Sequence, residues 1–146
     1  MNDWLLLVYF RFKEMPFLLR FFFFPYSLLG GILFPLLSLI PSAEFTINEK
    51  QVSYSEWWTS GAGPLSIIIG ILLLVSVIGF FRKKRFARIT FLAPWVILLI
   101  VALVQGYEAL TIVGVFVLGI WMLLLVWYFF FTKSVQDYFE KSGARD

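Results

Sequence analysis

The sequence predicts an all-α membrane protein: a four-helix transmembrane bundle with an N-terminal interfacial helix and a small extracytoplasmic loop. Three observations carry this. Apolar residues make up 61% of the chain and charged ones only 14%, against about 45–50% and about 25% in soluble domains. Four apolar runs each reach roughly the 20 residues needed to cross the hydrocarbon of a bilayer. Cations gather at the ends of those runs, most densely at Arg82, Lys83, Lys84, Arg85 and Arg88, five within seven positions. A core of this size cannot enclose that much apolar surface, so lipid has to solvate the remainder.

Residues 1–16 read as an interfacial helix. The run "WLLLVYFRF" is too short to span, and it carries Trp4, Tyr9, Arg11 and Lys13 among its apolar residues. The bundle proper covers residues 17–131, with spans at about 21–40, 64–81, 87–104 and 109–131. The first span holds Pro25, Gly30, Gly31 and Pro35, which predict a bend or a locally broken helix. It is expected to be retained rather than cleaved, because its apolar run exceeds a signal-peptide core and Pro41 spoils the following small-residue site.

The outer loop, residues 41–63, has its own local code. Phe45 and Ile47 alternate with polar residues, as do Val52 and Tyr54, and "NEKQ" between them suits the turn of a β-hairpin. Ser53 and Glu56 have the spacing of a capping box, which predicts a short helix bearing Trp57 and Trp58. Gly61 and Gly63 would end it, and Pro64 would open the second span. The two tryptophans suit an aromatic belt at headgroup level. Together with Tyr54 and Glu56 they are also the candidate residues for docking another protein.

Residues 82–88 form a basic inner loop whose cations act as topology determinants under the positive-inside preference. Such a loop can also meet anionic lipid heads or an acidic partner. On its side of the membrane lie Arg11, Lys13, Arg20, the five loop cations, Lys133, Lys141 and Arg145, eleven in all, against Lys50 alone on the other. Both termini are therefore expected to be cytoplasmic. The third and fourth spans are joined by "QGYE", which makes them an antiparallel hairpin. In the tail, residues 132–146, Val135, Tyr138 and Phe139 share a helical face expected to lie on the inner surface. The aromatic runs at 21–24 and 127–131 read as belts at the cytoplasmic boundary.

Several chemistries are excluded. The chain has no cysteine and no histidine, which removes disulfides, thiolate nucleophiles and imidazole or sulfur ligands for zinc or haem. No cofactor or metal is expected. The cations are distributed for membrane orientation and not on a nucleic-acid face. No Asp, Glu, Lys or Arg falls in the middle of a span, where a proton- or sodium-coupled transporter would need one. The mid-span polar residues are Ser27, Ser38, Ser66, Ser76, Thr90 and Thr111, each adequate for a weak interhelical hydrogen bond. Glu44, Glu49 and Glu56 read as solvated loop acids, and no catalytic residue is assigned.

Small residues point to packing. Ser66 and Gly70 form a small-xxx-small pair, with Gly63 earlier on the same span, and Gly114 shares a face of the fourth span with Thr111. Such faces hold this bundle together or receive a partner helix. The functional expectation is a non-enzymatic, multi-pass membrane protein, most simply of a bacterial inner membrane, acting through helix and loop contacts with a partner membrane protein. An accessory subunit and an immunity protein that blocks a pore-forming toxin both fit. A self-associating channel or small transporter is the alternative, and a lipid-modifying enzyme ranks last.

Overall fold

The computed structural model describes residues 3–41, 44–47, 50–104 and 112–140, with side chains placed for most of these. The turn residues Asn48 and Glu49, the "QGYE" connection with Thr111, and residues 141–146 lie outside the described set.

The chain opens with α1 (Asp3–Glu14), followed by Pro16 and then α2 (Leu19–Leu39). A two-stranded antiparallel hairpin, β1 (Phe45–Ile47) and β2 (Lys50–Val52), follows, with Phe45 opposite Val52 and Ile47 opposite Lys50. Next come the short α3 (Tyr54–Thr59), then α4 (Ala62–Phe81), α5 (Phe86–Val104), α6 (Ile112–Phe131) and α7 (Lys133–Glu140). By length and composition α2 and α4 can cross a membrane. A third candidate is the pair Phe116–Phe131 and Lys133–Glu140, bent by 51°, while Phe86–Val101 is a shorter apolar helix. The protein is thus a mostly helical membrane protein with two or three candidate apolar spans and a small sheet.

The expected break in the first span is replaced by a single π-helical turn, Leu19–Phe23, after which the helix runs on through Pro35. The Phe24 amide donates to the Leu19 carbonyl, one residue beyond α-helical register. That widening relieves Pro25, which lacks an N–H and whose ring would crowd the carbonyl four residues back. The N-terminal end of this helix is capped from afar: the buried Leu19 amide donates to the Tyr128 hydroxyl at 3.2 Å.

Close backbone approach joins α2 to α4. A Cβ added at Gly70 would stand 2.4 Å from both Cγ and Cδ of Pro35 and 3.2 Å from the Gly31 carbonyl oxygen. One at Gly31 would meet the Leu74 side chain at 2.7 Å. These glycines are what let the two helices pass. The α4–α5 turn is similarly tight, with Ala87 Cβ 2.6 Å from where a Gly79 side chain would begin.

The densest core lies at the end of the molecule that holds the basic loop. Phe80, Phe91 and Phe129 are fully buried, with Phe80 and Phe129 stacked at 5.9 Å and Phe23 packed on Phe91 and Phe129. This corrects the belt reading of the two aromatic runs: Phe23, Tyr128 and Phe129 belong to the interior, while Phe21, Phe22, Trp127 and Phe131 face outward. The tail expectation is corrected too. Val135, Tyr138 and Phe139 do share a face of α7, but that face is buried in the core instead of lying on a surface. The Tyr138 hydroxyl donates to the Phe80 carbonyl at 2.8 Å and fixes the helix there.

Candidate functional site

At one end the hairpin and α3 form a folded aromatic cap over the start of α4. Ser53 is extended (φ −68°, ψ 160°) and makes the reciprocal capping box its spacing predicts. Its hydroxyl accepts from the Glu56 amide at 3.2 Å, and its own amide donates to Glu56 Oε2 at 2.8 Å. The Ser53 hydroxyl also donates to that carboxylate oxygen at 2.9 Å. These donors, the Ser53 amide first, hold the Glu56 carboxyl below the usual range although it is fully exposed. At the far end of α3, Gly61 adopts φ 87°, a left-handed conformation suited to glycine, and α4 starts at the next residue. Gly63 therefore lies inside α4 and not in the terminator.

Position 63 is nonetheless needed as glycine. A Cβ there would sit 3.0 Å from Cδ1 and Nε1 of Trp57 and 3.1 Å from Cδ2 of Trp58, so both indoles rest on the α4 backbone. Phe45 is buried and stacks on Trp57 at 4.7 Å. Tyr54 meets Trp58 edge-on at 6.2 Å and Phe45 at 5.9 Å. The hairpin, marginal by itself, is held by this stack. The structure thus brings Tyr54, Glu56, Trp57 and Trp58 onto one short helix. Both indole Nε1 atoms are buried without a hydrogen-bond partner among the described residues.

The remaining partner candidates are dispersed. Ser66 is half-buried on α4, and Gly114 is half-buried on α6. Gly70 is closed off by Pro35 of its own chain, so its small side is consumed within the molecule.

At the opposite end the five loop cations turn out to be unequal. The loop is only Arg82 to Arg85, because α5 already starts at Phe86. Arg82, Lys84 and Arg85 are exposed. Lys83 takes a left-handed φ of 55° and turns its ammonium inward, to a salt bridge with Glu14 of α1 and to the face of Tyr138 at 5.2 Å. These three residues, with Ser134 and Asp137, line an open polar cleft of about 360 Å³. Arg88 lies in the first turn of α5 and is only 8% exposed. Its guanidinium sits 4.5 Å from the Phe139 ring centroid and 5.8 Å from that of Phe130. No sequence signal separated Arg88 from its neighbours, since the rings that cover it come from residues far along the chain.

No group of three potential metal ligands occurs among the described residues. The buried Ser76 Oγ donates to the Leu73 carbonyl at 2.7 Å and so serves its own helix. What the cap offers is a rigid aromatic surface with a carboxylate at its edge. Comparison with protein-family models, with curated proteins and with solved structures found no match.

Proposed function

We propose that this chain is a non-enzymatic, four-span membrane protein that works by contact with a partner membrane protein, as an accessory subunit or an immunity protein does. Its outer cap is the docking surface. In this reading both termini and the basic loop are cytoplasmic, in a bacterial inner membrane, and the cap faces outward. The observation that supports it is the cap's preorganisation. A loop needed only to connect two spans would not require a capping box, a left-handed glycine and a four-ring stack. Rigid aromatic residues presented at a fixed angle lower the ordering cost of binding.

The test is site-specific photocrosslinking in native membranes. A photoreactive residue at Tyr54 or Trp58 is expected to give a discrete adduct with another protein, and the same residue at the exposed Ile89 of α5 is not. A discrete adduct with a second copy of the chain would move the assignment to the self-associating channel. Absence of any adduct at the cap, with the protein purifying alone in several mild detergents, would end the docking reading.

A further inference from the structure

The start of α5 is electrostatically inverted. A helix N-terminus is the positive end of the peptide dipole and normally carries an acceptor or an acid. Here the residue before the helix is Arg85, whose carbonyl accepts from the Arg88 amide at 3.3 Å, and Arg88 itself stands in the first turn. Two guanidinium groups three residues apart therefore lie on one side of a positive helix end. Their internal compensation is slight. Arg85 Nη2 is 3.9 Å from Glu140 Oε1, an ion pair exposed on both sides and therefore weak. Arg88 is more than nine-tenths buried, and its Nε and Nη2 have no hydrogen-bond partner among the described residues. The ring faces of Phe139 and Phe130 offset part of the charge but accept none of its N–H groups in plane. A buried guanidinium left without an acceptor among the described residues invites one from a ligand.

The geometry points to a phosphate group, whose oxygens suit guanidinium donors. We propose that Arg85, Arg88 and the positive end of α5 hold the headgroup phosphate of an anionic phospholipid. Phe86 and Ile89, both exposed on the same helix, border the site and suit its acyl chains. The first-turn amides of Ala87 and Arg88 are already bonded to the carbonyls of Lys84 and Arg85, so recognition falls to the side chains. The phosphate takes the place Glu140 holds beside Arg85 and approaches Arg88 from the side of the exposed Phe130. A lipid is favoured over free phosphate because the site lies where an apolar helix meets a basic loop. The inference is independent of the docking function of the cap.

Native mass spectrometry of the full chain in detergent tests it, with dioctanoyl-phosphatidylglycerol, dioctanoyl-phosphatidylcholine and inorganic phosphate as probes. The wild type is expected to retain the anionic lipid in preference to the zwitterionic one. R85Q, which alters an exposed side chain and leaves the core intact, is expected to weaken that retention about fivefold, and R88Q at least as much. E140Q, by removing the competing carboxylate, is expected to strengthen it. K13Q, an equal change in net charge on α1, should leave it unchanged. Equal retention of both lipids, or equal losses in R85Q and K13Q, would overturn the site. Inorganic phosphate displacing the lipid at comparable concentration would overturn the lipid assignment.

Discussion

At the residue scale, the cap and the basic end each hang on a few polar contacts whose loss has a defined consequence. Ser53 satisfies the Glu56 amide and orders the first turn of α3. Ser53→Ala is expected to cost about 1 kcal/mol of local stability, read as faster hydrogen exchange across residues 53–60 with the rest of the chain unaffected. The Glu56 carboxylate has a folded-state pKa below its unfolded value. Its contribution is therefore present at neutral pH and is lost as pH falls through the carboxylate range. Protection from exchange in that segment, relative to the intrinsic rate at each pH, should fall on acidification below about pH 4, and E56Q should show the lower protection already at neutral pH. Protection that does not change with pH in the wild type would refute the linkage. At the other end, Tyr138→Phe removes the bond to the Phe80 carbonyl. The expected loss is about 1 kcal/mol, since the Phe80 carbonyl keeps the Lys83 amide at 3.2 Å, and release of α7 would show as increased protease sensitivity of the tail.

At the element scale, the contact between α2 and α4 is the best-defined helix pair. In lipid there is no hydrophobic drive to bring two helices together, so close packing has to hold them. Gly70 against Pro35, and Gly31 against Leu74, provide it. Gly70→Ala places a methyl 2.4 Å from the proline ring, which neither partner can easily yield. A loss of about 1–3 kcal/mol is expected, measured as a lower unfolding midpoint in mixed micelles. Pro35→Ala removes the opposing ring carbons, so the double variant should recover part of the loss, whereas independent effects would simply add. Sequence spacing showed that Gly70 lay on a small-residue face but not what filled it. That depended on Pro35, which by itself signalled only a kink. The cap was the more legible element, because a capping box, strand alternation and a left-handed glycine are local rules confined to neighbouring residues. The structure has the capping box, the hairpin and a helix end at Gly61, while Gly63 falls inside α4 and Tyr54, expected to continue the strand alternation, opens α3.

At the scale of the whole molecule, the limit on reading is physical. In a soluble helix the change from apolar to polar marks the inward face, but here lipid and core are both apolar, so periodicity carries almost no contrast. Hence Phe129, which is buried, and Phe131, which is exposed, looked alike in one aromatic run. Charge was more informative, because lipid excludes it and water does not, and the expected direction of the chain rests on it. The structure adds an observation that bears on which elements share a side. Lys83 of the α4–α5 loop pairs with Glu14 of α1 and faces Tyr138 of α7, so the first helix, the middle loop and the last helix meet at one end of the molecule. A chain with an odd number of spans could not bring its first and last helices to the same membrane face and keep these contacts. Reporter fusions at the two termini are therefore expected to give the same sign, and a fusion after Arg85 should agree with them, while one in the outer loop beside Gly61 should give the opposite sign. Replacing Lys83 by Glu, which repels Glu14 while lowering the loop's positive charge, should loosen the clamp and increase the fraction of inverted molecules. Terminal reporters of opposite sign in the wild type would contradict the proposed four-span arrangement and the clamp together.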